Sequence, residues 1–128
     1  VWDALHLLGA ERIGHGTSAV QDPALLEHLA ATGVPLEVCP SSNLATRAVA
    51  TLEEHPLPRF VEAGVTVAIA SDDPPMFGTT LNREYELAAD LLDLDEEGVR
   101  ELARTSVRAS FAPDDVRRSL LDAIDGHA

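Results

Sequence analysis

Two aspartates stand side by side in the stretch ASDDPPMFGTTL, residues 70–81. Adjacent carboxylates repel, and a fold gains nothing by holding both at the end of an apolar run. A cation explains such a pair, as does a substrate that engages two carboxylates in different ways. One aspartate ligating zinc and the other hydrogen-bonding a ligand would resolve the repulsion. The competing reading is a turn or helix cap, because Asp and Pro are both common turn residues. A second candidate is His15, held between Gly14 and Gly16 in ERIGHG. Glycine flanks allow a ligand close to the backbone. Histidine can serve as acid, base or metal ligand, although a lone histidine is often structural. His6, His28, His55 and His127 read as surface or packing residues, and Cys39 as a small packing residue at a strand end.

The elements that would position these groups follow from local signals. Residues 1–8 read as the end of a helix, with Trp2, Leu5 and Leu8 on one face and Gly9 after it. ERIGHG is a short strand running into a turn. Asp22 and Pro23 form an N-cap and N1 pair for a helix presenting Leu25, Leu26 and Leu29. VPLEVC is a second strand, with a polar SSN loop after Pro40. Residues 45–58 read as irregular, followed by a short helix stopped by Gly64. Val65 to Ala70 is the clearest strand, apolar on both faces as a covered parallel sheet requires. Thr80 caps a helix whose Leu81, Tyr85, Ala88 and Leu92 share a face. Asp95 starts another helix, with Glu96 and Glu97 favourably placed in its first turn. Pro113, Asp114 and Asp115 open the last, with Val116, Leu120 and Ile124 inward.

Strands alternating with helices imply an α/β fold of parallel βα units. Three strands make a poor isolated sheet, whereas a (β/α)₈ barrel takes about 250 residues. The 128 residues therefore read as one domain, the C-terminal part of a TIM barrel with about three parallel strands. Barrel active sites sit at the C-terminal strand ends. The three strands deliver His15, then Cys39 with SSN, then Asp72 and Asp73 to that one face. If the third strand continued through the aspartates, their side chains would point to opposite faces.

A formal net charge of −13 argues against nucleic acid and anionic membranes, both of which need a basic face. No apolar stretch approaches the roughly 18 residues of a membrane helix, and no secretion signal is visible. The single cysteine cannot form an internal disulfide, which suits a reducing, cytoplasmic location. No phosphate-binding glycine loop, G-x-S-x-G elbow, HExxH helix or cytidine-deaminase-type C-x-x-C zinc site is present.

ERIGHG, LEVCPSSN and SDDPPMFGTTL, in this order and at these spacings, resemble the C-terminal part of the adenosine deaminase family of zinc-dependent amidohydrolase-like barrels. The closing helices with RASFAP extend the resemblance over essentially the whole chain. It implies hydrolytic deamination of adenosine to inosine and ammonia, in purine metabolism. It also implies a Zn²⁺ cofactor and a purine nucleoside as the small-molecule partner. His15 matches the family's GHG histidine, which orients and polarises the hydroxide. Asp72 matches the zinc-ligating aspartate, and Asp73 the aspartate that hydrogen-bonds N7 of the purine. The adenine-specific branch tends to DHG, so Gly14 favours the nucleoside over the free base. The family's H-x-H and HAGE motifs have no match here, although catalytic zinc needs about three protein ligands. The expectation is therefore a chain that is inactive without a missing N-terminal half. Expected alternatives are an adenine deaminase, another amidohydrolase-like aminohydrolase, or a non-catalytic fragment or binding module, and open strand edges should make the isolated chain self-associate.

Overall fold

The structure, a computed structural model, describes residues 1–126. Three short strands form one parallel sheet in the order β1 (Ile13–Gly14), β2 (Leu36–Val38), β3 (Val67–Ile69). Register pairs Ile13 with Leu36 and Gly14 with Glu37, then Leu36 with Val67 and Val38 with Ile69. All three residues of β3 are buried, as expected of a strand covered on both faces. This is the architecture of part of a (β/α)₈ barrel.

Helix α1 (Trp2–His6) precedes β1, and a turn of 3-10 helix (Thr17–Gln21) follows it. Helix α2 (Pro23–Thr32) begins as the sequence dictates. The Asp22 carboxylate accepts the N–H groups of Ala24 and Leu25, and Gly33 closes the helix in the left-handed region at φ 72°. Leu25, Leu26 and Leu29 are buried against the sheet with Phe60, Leu57 and Val65. Trp2 and Leu5 pack against this core, but Leu8 is 80% exposed, so only two of the three expected α1 contacts form.

The SSN segment is helical rather than a loop. It lies in α3 (Pro40–Ala45), because Pro40 is pre-set for the first helical position and the Ser41 N–H finds a carboxylate acceptor in Glu84 at 2.9 Å. Residues 46–56 carry no regular element, and α4 (Leu57–Glu62) then includes Pro58 in its first turn. After β3 come α5 (Pro74–Phe77), α6 (Leu81–Leu92), α7 (Glu96–Arg108) and α8 (Asp114–Asp125). The Thr80 and Asp95 side chains cap α6 and α7 as expected.

The buried face of α6 is Glu84, Leu87 and Ala88, and Leu81 is exposed. The helix turns a carboxylate inward because Glu84 meets Ser41 and Thr79 there. Helix α7 lies along β3, where Ser106 Oγ accepts the Ile69 N–H and meets the Tyr85 hydroxyl at 3.2 Å. Helix α8 packs on α7, and it leaves Val116 and Leu120 exposed instead of inward. His127 lies outside the described residues. Among the described residues no helix is long and apolar enough to cross a membrane.

Candidate functional site

At the C-terminal end of β1 the backbone leaves the sheet abruptly. The His15 N–H still donates to Glu37 O at 2.9 Å, but His15 itself is left-handed at φ 58° and Gly16 follows at φ 67°. A side chain at residue 16 would be strained by its φ, and its Cβ would sit 2.8 Å from Leu36 Cδ2. Glycine therefore lets the turn fold back over β2. The result is an imidazole that is partly exposed above the strand ends.

The end of β3 is equally abrupt. The strand stops at Ile69, and Asp72 is left-handed at φ 54°. Side-chain alternation therefore does not separate the two aspartates; the turn does. Left-handed non-glycine residues are uncommon and gather at functional sites, and two of them meet here. Asp72 Oδ2 lies 3.5 Å from His15 Nε2 and accepts a hydrogen bond from Ser42 Oγ at 2.7 Å. The three strand ends thus contribute His15, Ser42 and Asp72 to one cluster.

Asp73 does something different. Its Oδ1 accepts the Met76 N–H at 3.0 Å, capping α5. The turn-and-cap reading of SDDPP therefore describes Asp73 locally, while its Oδ2 accepts no protein hydrogen bond among the described residues. Asp73 is exposed on the turn that carries Asp72.

Beneath the cluster runs a buried polar layer that local pattern did not reveal. Asn43 is 1% exposed and His55 3%. Asn43 Nδ2 lies 3.1 Å from His15 Nδ1, and Asn43 Oδ1 lies 3.1 Å from His55 Nε2. The Leu57 N–H donates to His55 Nδ1 at 3.1 Å. Glu84, fully buried, anchors the N-terminal turn of α3 through Ser41 and also accepts from the Thr79 hydroxyl. Nothing in the sequence near His55 marks it, and Glu84 reads as an ordinary first-turn acid. Cys39 is buried as expected. Burial first, then the nearby Asp72, Glu84 and Glu37 carboxylates, push its thiol up to about 12, which disfavours the thiolate that a nucleophile needs.

A catalytic zinc needs about three protein donors. Among the described residues no three His, Cys, Asp or Glu side chains gather to hold a metal. His15 and Asp72 are suitable in kind and placement for one side of such a centre, and they do not complete one.

Acid, imidazole and hydroxyl groups thus gather at the strand ends of a parallel α/β barrel segment. The chain belongs to the adenosine deaminase family, whose model matches residues 1–127. An aminodeoxyfutalosine deaminase of Streptomyces avermitilis is 69% identical over 111 residues, covering 87% of this chain and 31% of that protein. An adenine deaminase of Rhizobium leguminosarum bv. trifolii is 46% identical, covering 94% and 38%. Among solved structures, the adenine deaminase of Arthrobacter aurescens superposes with a TM-score of 0.91 at 38% identity, over 98% of this chain and 38% of that one. An amidohydrolase of Burkholderia ambifaria, solved with bound Zn, shares the fold at 20% identity with a TM-score of 0.83, over 97% and 35%. The chain thus spans about a third of the length of the relatives it matches.

Proposed function

We propose that this chain carries one wall of the active site of a zinc-dependent deaminase that hydrolyses the exocyclic amine of an aminopurine compound, with aminodeoxyfutalosine as the substrate. The observation that carries the hydrolytic reading is the approach of His15 Nε2 to Asp72 Oδ2 at 3.5 Å, with Ser42 on the same oxygen. The choice of substrate rests on the 69% identity to an aminodeoxyfutalosine deaminase, against 46% to an adenine deaminase.

In this reading Asp72 is one zinc ligand, and the remaining donors come from residues beyond this stretch. When bound, zinc supplies a water-derived nucleophile at neutral pH. The Ser42 hydroxyl holds the Asp72 carboxylate in one orientation, as outer hydrogen bonds do for metal-ligating acids. His15 presents Nε2 to the space beside Asp72, where an N–H can stabilise charge developing on the attacking oxygen. Asp73, on the same turn, hydrogen-bonds the purine through its second oxygen. A Cβ at Gly14 would meet nothing within 4 Å, and the GHG resemblance associates glycine at this position with a nucleoside-sized substrate and not the free base.

Adenine deamination is the second reading, favoured by the 0.91 TM-score to an adenine deaminase; adenosine is the substrate that the GHG resemblance implies. Ammonia release by the intact, zinc-loaded protein from aminodeoxyfutalosine, adenosine and adenine, run side by side, separates the three. The highest kcat/KM is expected with aminodeoxyfutalosine, and turnover of adenine alone would refute the assignment.

A further inference from the structure

The Asn43 side chain joins two imidazoles, and its orientation can be deduced from a backbone group. An N–H can only donate, so the Leu57 N–H at 3.1 Å requires His55 Nδ1 to be an acceptor. The hydrogen of His55 is then on Nε2, which faces Asn43 at 3.1 Å. The Asn43 atom opposite it must accept and is therefore Oδ1. Its Nδ2 then faces His15 and donates to Nδ1 at 3.1 Å. His15 Nδ1 accordingly holds a lone pair, and the ring hydrogen resides on Nε2, the nitrogen 3.5 Å from Asp72 Oδ2. Asn43 and His55 are almost wholly buried, so water does not compete with this chain of hydrogen bonds. Among the described residues no buried side-chain nitrogen or oxygen lacks a partner.

We infer that Asn43 and His55 are positioning residues: the order Leu57 N–H, His55, Asn43, His15 fixes the His15 ring as its Nε2–H tautomer and aims that hydrogen across the site. The inference rests on the proposed role of His15 for its catalytic consequence, but not for the tautomer itself. A histidine whose tautomer is set by its second nitrogen is a recurrent device. Here the setting group is an amide whose own orientation is imposed from 12 residues away in sequence.

The test uses the intact, zinc-loaded protein with ¹⁵N-histidine and long-range ¹H–¹⁵N correlation, which reads the tautomer of each ring directly. Wild-type His15 is expected as Nε2–H; finding the hydrogen on Nδ1 overturns the inference with no variant needed. Asn43→Asp is nearly isosteric but cannot donate to His15 Nδ1. It should move a hydrogen onto Nδ1 and lower kcat about 10–100-fold, the usual effect of losing such a partner, with KM within about twofold. His55→Leu should do the same, and His55→Gln, which can still donate to Asn43, should recover most of kcat. If Asn43→Asp or His55→Leu lowers stability or yield while tautomer and kcat stay at wild-type values, the residues are merely structural and the inference fails. Should the intact protein deaminate none of the three purines, the functional reading falls while the wild-type tautomer still decides this one.

Discussion

Asp72 Oδ2 and His15 Nε2 stand 3.5 Å apart, and each is presented by a residue with left-handed backbone, φ 54° and φ 58°. Two strand ends separated by a third strand are thus bent toward each other. The proposed division of labour between neighbouring aspartates can be tested on this geometry. In the intact protein Asp72→Ala should lose zinc, measured by atomic absorption after dialysis. Asp73→Ala should keep zinc and raise KM. Asp73→Ser retains a side chain able to cap α5, so recovery of wild-type KM in that variant would show that Asp73 is only a cap.

Gly14 offers a test of substrate choice. Open space surrounds a Cβ built there, so Gly14→Asp should fold normally and place a carboxylate beside His15. A drop of about tenfold or more in kcat/KM for aminodeoxyfutalosine, with adenine less affected, is the expected shift, since a misfitting polar group in a site costs at least about 1.4 kcal/mol. Equal losses on both substrates would argue against Gly14 as a determinant of substrate size.

Glu84 sits at 0% exposure and accepts from the Ser41 N–H at 2.9 Å and from Thr79. Glu84→Ala would leave the Ser41 N–H without its acceptor and the Thr79 hydroxyl with only the longer contact to Thr80 O at 3.4 Å, and should destabilise the fold by about 1–3 kcal/mol. Glu84→Gln, which keeps one acceptor, should cost less. Urea unfolding of the intact protein reads both, and an unchanged midpoint in Glu84→Ala would mean that α3 needs no such anchor.

His55 gives a pH signature. Burial lowers its pKa from the ordinary 6.5, against an opposing pull from Glu84. The other groups facing it, Asn43 Oδ1 and the Leu57 N–H, leave no acceptor for a second ring hydrogen. The unfolded chain therefore takes up a proton that the folded chain refuses. This contribution to stability is present in full above about pH 6.5 and is lost as pH falls toward the lowered folded value. Wild type should lose more stability than His55→Gln between about pH 7.5 and about pH 5.5. Parallel pH profiles in urea unfolding would contradict the account.

We further propose that the 128-residue chain expressed alone self-associates, because Leu7, Leu8, Met76 and Phe111 are each more than 70% exposed and β1 and β3 are sheet edges. A monodisperse monomer in solution scattering would count against it.

Much of this arrangement was legible because its signals are local. Asp22–Pro23 and Gly33 bound α2 through capping alone, and the apolar run at 65–70 could only be a covered strand. The convergence of His15, Ser42 and Asp72 followed from a general rule about parallel strands, not from any one motif. What escaped was set by distant partners. The SSN segment is helical because a carboxylate 43 residues later receives Ser41. His55 sits in an irregular stretch whose neighbours give no hint of Asn43. On α6 the expected apolar stripe holds at Tyr85, Ala88 and Leu92, but Leu81 is exposed and Glu84 turns inward to meet Ser41 and Thr79. Alternation along the third strand misled for a simpler reason: the strand ends three residues before Asp72.

Leu36 has no polar atom and touches no reacting group in this account, yet it acts as a gauge. Its methyl group fills the volume that a side chain at residue 16 would need, and so it sets how tightly the first loop lies on the second strand. A bulkier neighbour there would lift the loop, and a smaller one would let it sag. Either change would tilt the imidazole, although every polar group stayed in place.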